Sequence, residues 1–322
     1  MAIAIPPTAK RNEQLLEVRV KAPVSCSFVT QPETTINFFS RVEKAYEVSS
    51  KVIYDLTETT SFSETAAAVL MAFLKDRSLN KGRASVIDWP ENPACKAKLQ
   101  SFGIQRKIAQ SIDDSECYTD TPTQKISSTI VANQVAKNIV DQSSNFLYGT
   151  EKRIKELYAI LIEMMANTNN HAAAKPIDSL TIDNRQWWLF IFPDSLSKSV
   201  KFVFLDLGVG IFDSIPVKQF IQRTPQSLLD KKHLSQNYRR RIQLQEILTN
   251  LTSGKIKSST GRDDRGRGIP LIAEHSVCNH FCSFHIISND AYIDLREGTA
   301  SAMNEHFGGT LFHFELVEAS NE

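Results

Sequence analysis

Glu163, Asn167 and His171 stand at four-residue intervals beside an apolar set of Leu157, Ile160, Leu161, Met164 and Met165. Spacings of three and four in the apolar set predict an amphipathic helix with a buried stripe. Side chains at i and i+4 stack on one helix face, so the carboxylate, the carboxamide and the imidazole would project into one space. An asparagine carbonyl oxygen can ligate a hard cation, and Mg²⁺ takes oxygen ligands together with substrate phosphates. A carboxylate one turn away can take a proton from water or a hydroxyl. The competing reading is a polar helix end, because Asn169 and Asn170 follow and Lys175-Pro176 must stop the helix nearby.

Three later stretches offer complementary chemistry. Lys201 to Leu205 reads as a strand running into Asp206-Leu207-Gly208-Val209-Gly210-Ile211. Spaced glycines let the backbone turn tightly and let a flat ring approach closely. Asp206 can accept a hydrogen bond from an exocyclic amine, the group that tells adenine from guanine; a simple β-turn is the alternative. Gly266-Arg267-Gly268-Ile269 heads a helix expected over 269–279, where free backbone N–H groups and the helix dipole make an anion site. It is not the Walker pattern, which needs Gly-Lys-Ser/Thr after a strand. Gly308-Gly309-Thr310 reads as a turn entering a final strand. A rival constellation of His275, Cys278, Cys282 and His285 has zinc-ligand types. Cys282 and His285 fall on opposite faces of a strand, however, so buried structural thiols are the preferred reading.

The elements that must position these residues follow from periodicity. Alternation at Leu16, Val18 and Val20 predicts a strand, and 35–48 a helix with Phe38, Phe39, Val42 and Tyr46 on one side. A strand at 51–56, a helix at 63–79 capped by Ser63 or Ser61, a strand at 84–89 and a helix at 93–102 stopped by Gly103 complete a small α/β domain over 1–120. Polar residues near 110–125 mark a boundary, and a connector helix is expected within 121–150. In 151–322, Gln186 to Phe192 and Lys201 to Leu205 predict an antiparallel hairpin. Phe281 to Ser288 and Ala291 to Leu295 read as two further strands. Residues 216–265 form a long insertion of short helices carrying Lys231, Lys232, Arg239, Arg240 and Arg241. Such a cluster can reach a nucleic-acid backbone. No aromatic platform or groove-reading motif accompanies it, and a solvated helix face is favoured.

Composition sets the outer limits. The 322 residues leave room for two domains, and 42% hydrophobic with 23% charged residues is a globular balance. A net charge of +1 argues against a nucleic-acid-coating protein or an acidic tail. No apolar run approaches the roughly 20 residues that span a bilayer, and the start is too quickly polar for a secretory signal. Five scattered cysteines suit reduced thiols, so a cytoplasmic location without membrane contact is expected.

Taken in order, Glu163-x-x-x-Asn167-x-x-x-His171, Asp206-x-Gly208-x-Gly210-Ile211, Gly266-x-Gly268-Ile269 and Gly309-Thr310 resemble the ATP-binding domain of the GHKL superfamily, most closely its anti-sigma serine-kinase branch. The resemblance implies a Bergerat fold, a two-layer α/β sandwich with a mixed, mainly antiparallel sheet, over 151–322. It implies ATP and Mg²⁺ as cofactors and an ATPase or protein serine/threonine kinase, with Asn167 on the metal and Glu163 polarising a water or a serine hydroxyl. Asp206 would bind the adenine amine, with Gly208 and Gly210 making room beside Ile211. The lid, 216–265, would bring Gly266, Arg267 and Gly268, ahead of Ile269, to the phosphates. Thr310 would hold the adenine network, and His171 would contact phosphate or cap the helix. The lid is longer than that of sensor kinases, and the absence of a His-Glu-x-x-x-Pro motif argues against a self-phosphorylating histidine kinase.

Val52 to Ile104 resembles a STAS domain, with Ser63-Glu64-Thr65-Ala66 where that family carries its phosphorylated serine; a plain helix start is the alternative. A regulatory or effector protein partner and a homodimer are the implied associations. A non-catalytic ATP-gated switch and a nucleic-acid-linked ATPase are the alternative functions.

Overall fold

The structure, a computed structural model, describes residues 16–76, 80–104, 124–128, 131–149, 154–171, 186–211 and 268–319. It is mixed α/β, with parallel and antiparallel sheets. The insertion at 216–265, with Gly266 and Arg267, lies outside the described residues, as do the side chains of Asn170 and His171.

The first unit alternates strands and helices. Strands β1 (Glu17–Lys21), β3 (Lys51–Asp55) and β5 (Ala84–Asp88) form a parallel sheet in the order β1-β3-β5. Short strands β2 (Ser25–Cys26) and β4 (Ser61–Phe62) pair beside it. Helix α1 (Pro32–Val48) buries Ile36, Phe38, Phe39, Val42, Ala45 and Tyr46, the stripe expected from the sequence. Helix α2 (Glu64–Lys75) starts at Ser63, whose hydroxyl accepts from the Ala66 N–H at 3.2 Å and satisfies one orphan donor of the first turn. Helix α3 (Pro93–Ser101) is capped by Asn92, and the chain leaves it through Gly103 at φ 71°, a left-handed position suited to glycine.

The second unit is a five-stranded antiparallel sheet in the order β6-β7-β8-β10-β9. Its strands are β6 (Gln124–Ser128), β7 (Trp187–Asp194), β8 (Ser199–Asp206), β9 (Phe281–Asp294) and β10 (Thr299–Val317). All four pairings are antiparallel, so the mixed sheet expected above is not seen among the described residues. Helices α4 (Asn133–Tyr148), α5 (Lys155–His171) and α6 (Gly268–Ser276) line one face. On that face rows of aromatics stack across the sheet, with Phe202, Phe314 and Phe284 side by side and Phe204, Phe312 and Ile286 in the next row.

Three expectations change. Gln124–Ser128 is an edge strand, and the helix placed over this segment begins only at Asn133. The two strands anticipated at 281–295 are one, Phe281–Asp294, which passes through a local irregularity where Asn289 takes a left-handed φ of 55°. Beyond that point the residues facing the helices change from even to odd numbers, from Phe284 and Ile286 to Ala291 and Ile293, as a one-residue slip requires. Gly308-Gly309 lies inside β10, within its register shifts against β9, rather than in a turn before it.

The two-layer expectation also changes. The other sheet face is covered by the first unit: Trp188, Phe190, Phe192, Val203, Leu205, Ile287 and Leu311 share one core with α1, α2 and α3. Phe102 packs edge-on against Phe192 at 5.2 Å and Phe28 against Phe307 at 5.4 Å. At the rim, Asn37 donates to Glu305, and Glu33 accepts from the backbone and side chain of Asn304. Burial on both faces explains why β7 is apolar at nearly every position instead of alternating.

Candidate functional site

The helix-facing side of the sheet does not stay apolar. One pleat beyond the Phe204, Phe312, Ile286 row stand Asp206, Thr310 and Ser288, each paired with its neighbour in register. All three are buried, at 8%, 3% and 0% exposure. Thr310 Oγ1 lies 3.2 Å from Ser288 Oγ, and the Ser288 hydroxyl donates to the Gly309 carbonyl at 2.9 Å. The Asp206 carboxylate accepts from the Gly208 N–H at 3.1 Å, and the nearby hydroxyls of Thr310 and Thr168 favour its charged form. Burial outweighs these donors and raises its pKa from 3.8 to about 6. Thr168 belongs to α5, one residue from Asn167, so the helix and the sheet meet at this carboxylate.

The turn after Asp206 is held from β9. Ile211 N–H donates to Ser288 Oγ at 2.8 Å, and Asn289 Nδ2 donates to the Val209 carbonyl at 2.9 Å. Gly210, at φ 79°, lies so close to Asn289 that a Cβ would overlap the carboxamide. Gly309, at φ 123°, runs against the backbone carbonyl of Asp206, where a Cβ would likewise overlap. These two glycines let three backbone segments converge around the acid.

Glu163 and Asn167 converge on the start of α6. A Cβ built on Gly268 would sit 2.8 Å from Asn167 Oδ1 and 3.0 Å from Glu163 Oε2. Both side chains therefore point at the helix N-terminus, where unsatisfied N–H groups favour acceptors and negative charge. Burial raises the Glu163 pKa above the usual carboxylate value. Among the described residues, Asn167 Nδ2 is sealed from solvent with no hydrogen-bond partner. A buried orphan amide is unusual in a folded protein and fits a group held for a ligand. Ile269 and Ile211 pack against the core on the helix side.

The structure thus brings together Glu163, Asn167, Asp206, Gly208, Gly210, Ile211, Gly268, Ile269 and Thr310. His171 ends α5, but its side chain is not described, and Gly266 and Arg267 fall outside the described residues. Thr168, Ser288 and Asn289 belong to the site and were not anticipated. Thr168 was hidden in a polar helix end, and Ser288-Asn289-Asp290 between two apolar runs reads as a turn. The four-residue zinc reading fails, since His285 faces the first unit beside His313; the preferred reading of buried structural thiols fails as well, since Cys278 is partly exposed and Cys282 exposed.

No protein-family model matches the chain, and no curated protein is significantly similar to it.

Proposed function

We propose that the chain binds ATP with Mg²⁺ in the manner of the GHKL domains it resembles, and that it hydrolyses ATP or passes the phosphoryl group to a partner hydroxyl. The observation that carries this reading is the polar row Asp206, Thr310 and Ser288, which replaces aromatics at the end of an apolar sheet face directly under α5. Among the described residues the partners of Asp206 are donors only. A buried carboxylate with acceptor capacity left over suits an adenine amine and repels the carbonyl that guanine presents at that position. The turn at 207–211 supplies the flat approach to the base.

Asn167 and Glu163 fit the metal end of such a site. The Asn167 carboxamide would hold Mg²⁺ through its oxygen, and the bound ion would neutralise phosphate charge. Glu163, half-buried and more basic than an exposed glutamate, would take the proton from the attacking water or hydroxyl. The N-terminus of α6 would face the phosphates.

The first unit would be the STAS-like domain. Its Thr65 is 2% exposed and accepts from the Phe28 N–H at 3.3 Å, so a modified Thr65 is not part of the proposal. The switch reading gains from one observation. Phe307 packs on Phe28 of the first unit only three residues before Thr310, so the nucleotide end of β10 is mechanically continuous with that unit. A cytoplasmic setting with a protein partner fits both readings; among the described residues no helix is long and apolar enough to cross a membrane.

Calorimetric titration of the full chain with ATP, GTP and a non-hydrolysable ATP analogue, with and without Mg²⁺, tests the proposal. ATP and the analogue should bind with Mg²⁺ dependence, and GTP should not. Glu163→Ala should keep binding and lose turnover. A folded protein that ignores adenine nucleotides would overturn the proposal. Binding that never leads to turnover, but changes partner affinity, would favour the switch.

A further inference from the structure

The opposite end of the α5–α6 pair carries a second cluster. Glu156 in the first turn of α5, Cys278 just past α6 and His280 at the entry to β9 place one ligand atom each within 4.8 Å of one another. All three are half-buried, which limits competition from water without sealing the site. They come from three separate segments, so tertiary packing brings them together. His280 is oriented by a fourth residue: the Tyr148 hydroxyl, at the end of α4, lies 2.5 Å from its Nδ1 and itself accepts from the Ala319 N–H at 3.1 Å. Arg296 donates to the carbonyls of Ser276 and Cys278 and fixes the backbone of the turn.

We propose that Glu156, Cys278 and His280 bind a zinc-class transition metal. A thiolate, an imidazole and a carboxylate form a mixed donor set that suits Zn²⁺, whereas Mg²⁺ and Ca²⁺ want oxygen alone. Tetrahedral zinc with ligand bonds of 2.0–2.3 Å spaces its ligand atoms about 3.3–3.8 Å apart, so small side-chain rotations close the observed cluster around the ion. His280, engaged by Tyr148 through Nδ1, would ligate through Nε2, the outer-shell arrangement that fixes tautomer and ring direction. On binding, Cys278 releases its thiol proton to solvent and Glu156 ligates as the carboxylate. Three protein ligands leave the fourth position to water.

The placement gives the metal a role. Helices α5 and α6 run antiparallel, with Gly268 against Glu163 and Asn167 at one end and Cys278 beside Glu156 at the other. Glu156 is seven residues from Glu163, about 10 Å along the helix. A metal here would tie the far end of the pair and fix the register in which α6 presents its N-terminus. The site does not depend on nucleotide binding.

Cobalt titration of the reduced full-length protein, without nucleotide, tests the assignment. One Co²⁺ per chain should bind, with thiolate-to-cobalt charge-transfer absorption, and Zn²⁺ should displace it. Tyr148→Phe should weaken binding by about tenfold. Cys278→Ser should abolish the charge-transfer band, and Cys282→Ser should leave it unchanged. In the unaltered protein Zn²⁺ should protect Cys278, but not Cys282, from alkylation mapped by mass spectrometry, a readout that needs no variant to fold. Absence of the band with the unaltered protein, its loss in Cys282→Ser, or alkylation of Cys278 indifferent to Zn²⁺ would each overturn the proposal.

Discussion

Asp206 concentrates the chemistry and the energetic cost of the site in one side chain. Burial pushes its carboxyl up to about 6 in the fold, from 3.8 ordinarily, against the Gly208 N–H and the nearby Thr310 and Thr168 hydroxyls. A folded pKa above the unfolded one means that the native state keeps the proton where the unfolded chain has lost it. Stability is therefore lost as pH rises from about 4 to about 6 and stays lost above that, by about 3 kcal/mol for this group. Asp206→Asn removes the ionisation while keeping an oxygen for the Gly208 N–H. The variant should be more stable than the unaltered protein at neutral pH by up to about 3 kcal/mol, with the difference gone below about pH 4. Paired urea denaturation at the two pH values measures it, and the difference between the proteins cancels every other titrating group. The same variant should lose ATP binding. Gain of stability with loss of function is expected where a carboxylate is kept buried for a ligand.

Among the elements, two glycines that look alike in sequence do different work. Gly268 opens α6, and the atoms an alanine would meet there are the ends of the Asn167 and Glu163 side chains, which can turn aside. Gly268→Ala should change stability by no more than about 1 kcal/mol, since steric crowding and improved helix propensity offset one another. It should nevertheless abolish the Mg²⁺ dependence of nucleotide binding by displacing both groups. Gly309 in β10 meets the backbone of Asp206 at φ 123°, where nothing can move aside. Gly309→Ala should cost about 3 kcal/mol or more. Thermal unfolding separates the two, and calorimetry with Mg-ATP shows whether Gly268→Ala is a functional change in an intact fold.

Among the described residues, the antiparallel sheet is covered on both faces. The first unit covers one side through Trp188, Phe190, Phe192, Val203 and Leu205, and the helices cover the other through Phe202, Phe204 and Phe312. The joint includes buried polar atoms, Trp188 Nε1 and His313 Nδ1, that have no partner among the described residues. Burial, with His285 beside it, lowers the His313 pKa to about 3, so that ring stays neutral in the fold. Because the unfolded histidine titrates near its ordinary value of 6.5, its contribution to stability is present above that pH and fades as pH falls toward 3. Two units sharing one core should unfold together. Denaturation of the full chain should give one transition by tryptophan fluorescence and circular dichroism alike. A chain cut to 124–322 should aggregate, because cutting exposes the apolar face. Two separated transitions, or a soluble monomeric fragment, would show that the units are independent.

Much of this was legible in the chain. Local periodicity named α1, α5, β7 and β8, since the face an element buries is written into its own spacing. Ser63 and Gly103 were legible as punctuation because capping and left-handed turns are decided within a few residues. The Glu163, Asn167 and Asp206 motifs were legible as residue types at fixed intervals. Tertiary structure alone decided that β6 joins the sheet edge, that Ser288 and Asn289 brace the turn after Asp206, that the first unit covers the second face of the sheet, and that Glu156 meets Cys278 and His280. Each of these pairs groups far apart along the chain, and no local spacing encodes a contact whose partner is set by how layers pack.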